Sequence, residues 1–138
     1  MNLQAKGAFT VKTTPQAWSE GEQGSVTDHS LGRFLLDKQY HGGLEATAEG
    51  QMLTAGSPQK GSAAYVAVER VNGTLGGRKG SFMLTHSGTM NKGDLQLLIT
   101  VVPDSGTDEL AGMSGTLSIQ IVDGKHNYEL AYSLSTMQ

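Results

Sequence analysis

The 138-residue chain carries ten basic and thirteen acidic residues, a formal net charge of −3, and only 17% of its residues are charged. No basic run is longer than Arg78-Lys79, which excludes a nucleic-acid-binding stripe, and the absence of cysteine excludes disulfides, thiol catalysis and thiolate metal sites. "MNLQAKGAFTVKTTPQ" at the amino terminus lacks the apolar core of a signal peptide, and no apolar run approaches a membrane span, so a cytoplasmic protein without membrane contact is expected.

Nineteen glycines against three prolines divide the chain into short β-rich runs. Strands are expected at about 4–13, 27–38, 42–50, 62–71, 77–86, 93–102, 114–122 and 126–136. After the first, "TPQAWSEGEQG" has room for one helical turn from Pro15 before its glycines stop it. In "GLEATAEGQM", Glu45 and Glu49 oppose Leu44, Ala46 and Ala48 and are assigned to solvent. The fourth run, "SAAYVAVERVNG", places Ala63, Tyr65, Ala67 and Glu69 on one face and Ala64, Val66, Val68 and Arg70 on the other. Alternation fixes these sets but not which one is inside. If the first faces inward, Glu69 is an interior carboxylate beside a phenol and needs Arg78, a histidine or a proton. If the second does, Tyr65 and Glu69 are exterior residues and Arg70 is the one at the mouth.

"GSFMLTH" alternates with Gly80, Phe82, Leu84 and His86 on one face, and "SGTMNKG" after it reads as a turn. "DLQLLITVV" is apolar on both faces towards its end, so this strand is expected to be covered on both sides by a neighbouring subunit or a local cap. In "VVPDSGTDEL", Pro103 ends the strand, and Asp104 and Ser105 are expected to bond their own downstream backbone. The last two strands alternate cleanly, with His126, Tyr128, Leu130, Tyr132 and Leu134 sharing a face. Period-two patterning throughout, with little or no helix, makes the chain all-β. One eight-stranded antiparallel barrel over 1–138 removes the two open edges, with a sandwich as the rival. Trp18 is expected to pack over one barrel end.

Residues 63 to 134 resemble a bacterial family of unknown function with the allene oxide cyclase-like β-barrel fold. The resemblance is carried by Tyr65, Glu69 and Arg70, by the Gly73–Leu75–Gly77–Arg78–Gly80–Phe82 run, and by His86, Gly88 and Met90. "VVP-x-SGT-x-EL-x-G" and the His126–Tyr128–Tyr132 strand complete it. It implies an eight-stranded barrel and brings no activity. The plant cyclases of that fold act on a fatty-acid epoxide, but fold alone does not carry function. Two departures stand out: Asp104 and Asp108 occupy positions where the family leads us to expect glycine.

No residue pattern names a reaction. His86 and Ser87 are adjacent on a strand and point to opposite faces, and the Gly-x-Ser-x-Gly elbow of a serine hydrolase is absent. Asp104, Asp108 and Glu109 lack EF-hand spacing. His29, His41, His86 and His126 have no close ligand spacing, so neither a metal nor a cofactor is expected. His86 and His126 are placed near a barrel mouth. The polar set for a ligand is Tyr65, Glu69, Arg78, His86, His126 and Tyr128. The favoured role is binding a small apolar or amphipathic molecule in the barrel. One alternative is a cofactor-independent isomerase or cyclase with Glu69 or a histidine as acid-base. Another is a packed barrel serving as an oligomeric interaction module. A homo-oligomer is expected under any of them.

Overall fold

A computed structural model describes residues 2–17 and 31–134. Its strands are β1 Leu3–Gln16, β2 Leu31–Gly42, β3 Leu44–Gly56, β4 Ala63–Leu75, β5 Arg78–Asn91, β6 Asp94–Val101, β7 Ser114–Val122 and β8 Lys125–Ser133. They pair antiparallel in chain order, and β8 closes on β1 to complete a barrel, as expected from the need to remove two open edges. The sandwich is ruled out. One turn of 3-10 helix, Asp108–Leu110, is the only helix among the described residues, and no helix there is long and apolar enough to cross a membrane. Gly76-Gly77, Lys92-Gly93 and Asp123-Gly124 have positive φ at both residues. Such two-residue turns match the right-handed twist of the strands they join.

The two ends of the barrel differ. At the end holding Gly42-Gly43 and Gly76-Gly77, the interior is filled by Leu44, Leu75, Phe82, Leu110, Met113 and Leu130, all nearly inaccessible. Residues 102–113 close this end because three side chains replace the missing strand partner of β5. Ser105 Oγ accepts from the Met83 N–H at 3.0 Å, Thr107 Oγ1 from the Ser81 N–H at 3.0 Å, and Glu109 Oε1 from the Lys79 N–H at 2.7 Å. These bonds hold the segment so that Leu110 and Met113 plug the barrel. Ser105 therefore reaches across to β5 rather than bonding downstream, correcting the sequence reading. Asp104 (φ 62°) and Asp108 (φ 53°) both take the left-handed conformation. That conformation explains why glycine was expected at these two positions, and aspartate is among the few other residues that tolerate it.

The opposite end, the open end among the described residues, is less tightly filled. β6 and β7 are in register only at Thr100 and Thr116. Beyond that pair no ladder pairing joins residues 94–99 to 117–122, where Leu97 and Ile119 pack partly on the core. Leu95 and Ile121, farther out, are mostly exposed.

Several strands run past their expected ends. β2 continues to Gly42, β4 to Leu75 and β5 to Asn91, so "SGTMNKG" is strand down to a turn at Lys92-Gly93. His86 thus lies mid-strand, inside the barrel, rather than at a strand exit. Among the described residues no local cap covers the outer face of β6: Ile99 and Val101 are buried, but outward-facing Leu98 is 60% exposed. Trp18, His29 and the ends of two expected strands, 27–30 and 135–136, lie outside the described residues.

Candidate functional site

β4 resolves the choice its alternation left open. Ala67, Glu69 and Val71 are buried, whereas Val66, Val68 and Arg70 face out. Tyr65 continues the inward set towards the open end, where it becomes half-buried, and Ala63 is exposed. On β2 the inward set is Leu36, Lys38 and Tyr40, and on β5 it is Phe82, Leu84, His86 and Gly88. The inward faces of β2, β4 and β5 therefore meet around one carboxylate.

Glu69, 2% exposed, accepts three hydrogen bonds. Lys38 Nζ donates to Oε1 at 2.8 Å, His86 Nε2 donates to Oε1 at 2.6 Å, and Tyr40 Oη donates to Oε2 at 2.9 Å. The Lys38 ammonium also sits 5.0 Å from the Phe9 ring centroid, a cation–π contact that supports the charge where water is scarce. Burial alone pushes the Glu69 carboxyl up, but the His86 hydrogen bond and the Lys38 charge and hydrogen bond outweigh it, holding the group below the ordinary carboxylate range. Burial and the neighbouring Glu69 charge push the Tyr40 phenol far up, so it stays a donor. No buried side-chain polar atom among the described residues lacks a partner.

One arm of this cluster reaches towards the open end. His86 Nδ1 lies 3.3 Å from Tyr65 Oη. The Tyr65 ring packs where a side chain at Gly88 would stand, with Leu97 beside it. Gly88 is needed here because a Cβ would overlap the Tyr65 ring edge. Burial first, and the Glu69 charge second, raise the Tyr65 phenol above its ordinary value. Glu69 and His86 are the two metal-ligand-type side chains that meet here, and no third joins them among the described residues.

The remaining sequence candidates go elsewhere. Arg78 is exposed at the closed end, opposite Leu75, and cannot be the partner of Glu69. Tyr128 is buried, but its hydroxyl is occupied by the backbone: it accepts from the Leu44 N–H and donates to the His41 carbonyl, each at 2.9 Å. It ties down the 42–44 turn. His126 is half-buried at the start of β8, its ring 5.1 Å from that of Phe9. Sequence reasoning missed Lys38 and Tyr40. The signal was present in "LLDKQY", where Leu36, Lys38 and Tyr40 share a face, but the expected strand ended at Lys38 and hid it.

Outside the barrel, a groove of about 700 Å³ crosses β2–β5. It is lined by Leu35, Leu53, Val66, Val68 and Met83, with Asp37, Glu49 and Arg70 in one cross-strand row. None of those three charges forms an ion pair among the described residues.

A family model described as a protein of unknown function, DUF3224, matches residues 5–132. A crystal structure of a DUF3224 protein of unknown function from Shewanella oneidensis is 43% identical, with a TM-score of 0.88, over 99% of this chain and 100% of that one. No curated protein matches.

Proposed function

Because the chain belongs to the DUF3224 family of proteins of unknown function, its role must be read from its own side chains, and we propose that the barrel binds a small amphipathic molecule at its open end. The observation that carries this reading is the Lys38–Glu69–His86 cluster. Burying three ionisable groups costs several kcal/mol in desolvation, and an apolar core of the same volume is often as stable. A cluster of this kind, connected to a half-exposed phenol, is where binding sites are commonly built. Leu97 and Ile119 would cover the ligand's apolar part, and Tyr65 would meet its polar head. The sequence resemblance suggests an allene oxide cyclase-like barrel, a suggestion compatible with the strand number and closure, and no cyclase chemistry is carried over with it.

The test is thermal stability in the presence of straight-chain C8–C12 alcohols, ketones and acids. A ligand at a hundred times its Kd stabilises by about 2.7 kcal/mol, which raises Tm by roughly 5–10 °C in a chain of this size. Leu95→Arg and Ile121→Arg, both on exposed rim positions, are expected to weaken that shift. No shift from any compound in the panel would remove the proposal.

The outer groove favours a second, compatible reading: self-association. Its apolar lining is exposed, and a two-fold axis passing over β3 would set Arg70 of each copy over Asp37 of the other. Light scattering at micromolar concentration should give a dimer, and Arg70→Glu should give a monomer. A monomeric wild-type protein would refute this reading.

A further inference from the structure

The hydrogen bonds around Glu69 run in one direction. Lys38 has only hydrogens to give, and the Glu69 carboxylate has only lone pairs to offer. With Glu69 ionised, the hydrogen in its 2.6 Å contact with His86 belongs to Nε2. In the neutral ring Nδ1 is then bare, and the hydrogen in the 3.3 Å contact belongs to Tyr65 Oη. With the ring neutral, the chain reads Tyr65 O–H to His86 Nδ1, then His86 Nε2–H to Glu69 Oε1. Every donor points inward. The outer end of the chain, the half-exposed Tyr65 oxygen, offers lone pairs and no hydrogen.

We propose that this polarity sets the ligand's head group: the open end selects a neutral hydrogen-bond donor, an alcohol-type hydroxyl, over a carbonyl or a carboxylate. This rests on the binding proposed above. A hydroxyl can donate to Tyr65 Oη without disturbing the chain, and each bond in a polarised series strengthens the next. A ketone can bind Tyr65 only if the phenol turns its hydrogen outward. His86 Nδ1, in a side chain that is 4% exposed, would then lose its donor, and an unpaired buried polar atom is costly. A carboxylate has the same defect and adds a negative charge near Glu69. Apolar side chains beside Tyr65 would supply the rest of the site: Leu97 lies against the Gly88 position over which the Tyr65 ring packs. The ligand class is thus an apolar chain ending in a hydroxyl.

The experiment compares 1-octanol with 2-octanone and octanoate at pH 8, by titration calorimetry on the wild type and on Tyr65→Phe, alongside ¹⁵N NMR of the His86 ring. The wild type should bind 1-octanol five- to tenfold more tightly than 2-octanone, with octanoate weakest. Tyr65→Phe keeps the ring over Gly88 and should reduce the alcohol–ketone difference to less than twofold. The ¹⁵N shifts should show hydrogen on Nε2 and none on Nδ1. Equal or tighter binding of the ketone, or an Nδ1-protonated ring, would overturn the donor-selective site while leaving amphipath binding intact. Failure of all three probes to bind would overturn both. A wild-type preference that survives in Tyr65→Phe would overturn the role of the phenol.

Discussion

Replacing Glu69 with glutamine tests whether the interior cluster is held by charge. The substitution keeps the volume and removes the carboxylate that Lys38, His86 and Tyr40 all address. The Lys38 ammonium, 6% exposed and 2.8 Å from Glu69, would be left in the barrel without its counter-ion. Removing one partner of a buried pair costs about 3–5 kcal/mol. In a chain of this length each kcal/mol moves Tm by roughly 2–4 °C, so Glu69→Gln should melt about 6–20 °C lower. Urea unfolding followed by circular dichroism gives the free energy directly. Lys38→Met should cost a similar amount, since it strips Glu69 of its nearest positive charge. The double variant should cost clearly less than the two singles summed, with a coupling within the roughly 0.5–3 kcal/mol found for contacting residues. A Glu69→Gln protein within 1 kcal/mol of the wild type, or strict additivity in the double variant, would refute a charge-held cluster.

The acid limb of stability should carry the mark of Glu69. Its folded-state pKa lies below the ordinary 4.5, so the stability it contributes is present above pH 4.5 and lost as pH falls through the folded value. Urea midpoints between pH 7 and 3 should fall less steeply in Glu69→Gln than in the wild type. Tyr40, Tyr65 and Tyr128 have raised values, so their contribution is intact below pH 10 and is lost as pH rises beyond it. Tyr128→Phe should cost about 1–3 kcal/mol, because the buried Leu44 N–H loses its acceptor. Octanol affinity should be unchanged in that variant; lost binding at unchanged stability would show that Tyr128 is part of the site rather than a tie.

The all-β class, the strand count and most turns were legible in the sequence because they are local. A side-chain period of two and glycine pairs at positive φ need no partner to be recognised. The glycine expected at Asp104 and Asp108 came from the family resemblance rather than from local pattern, and both positions proved to be left-handed. What lay beyond local reading was the pairing of distant residues. Alternation grouped Tyr65 with Glu69 but could not turn that face inward. It could not bring Lys38, 31 positions upstream, to the Glu69 carboxylate, nor send Arg78 and Tyr128 to the other end of the barrel. Those outcomes depend on register around a closed sheet, where a one-residue shift moves every side chain to the opposite face. The opening quality of His86 changed for the same reason. In sequence it closes an apolar run; in the barrel it stands between a buried carboxylate and the phenol at the open end, because β5 continues five residues beyond it.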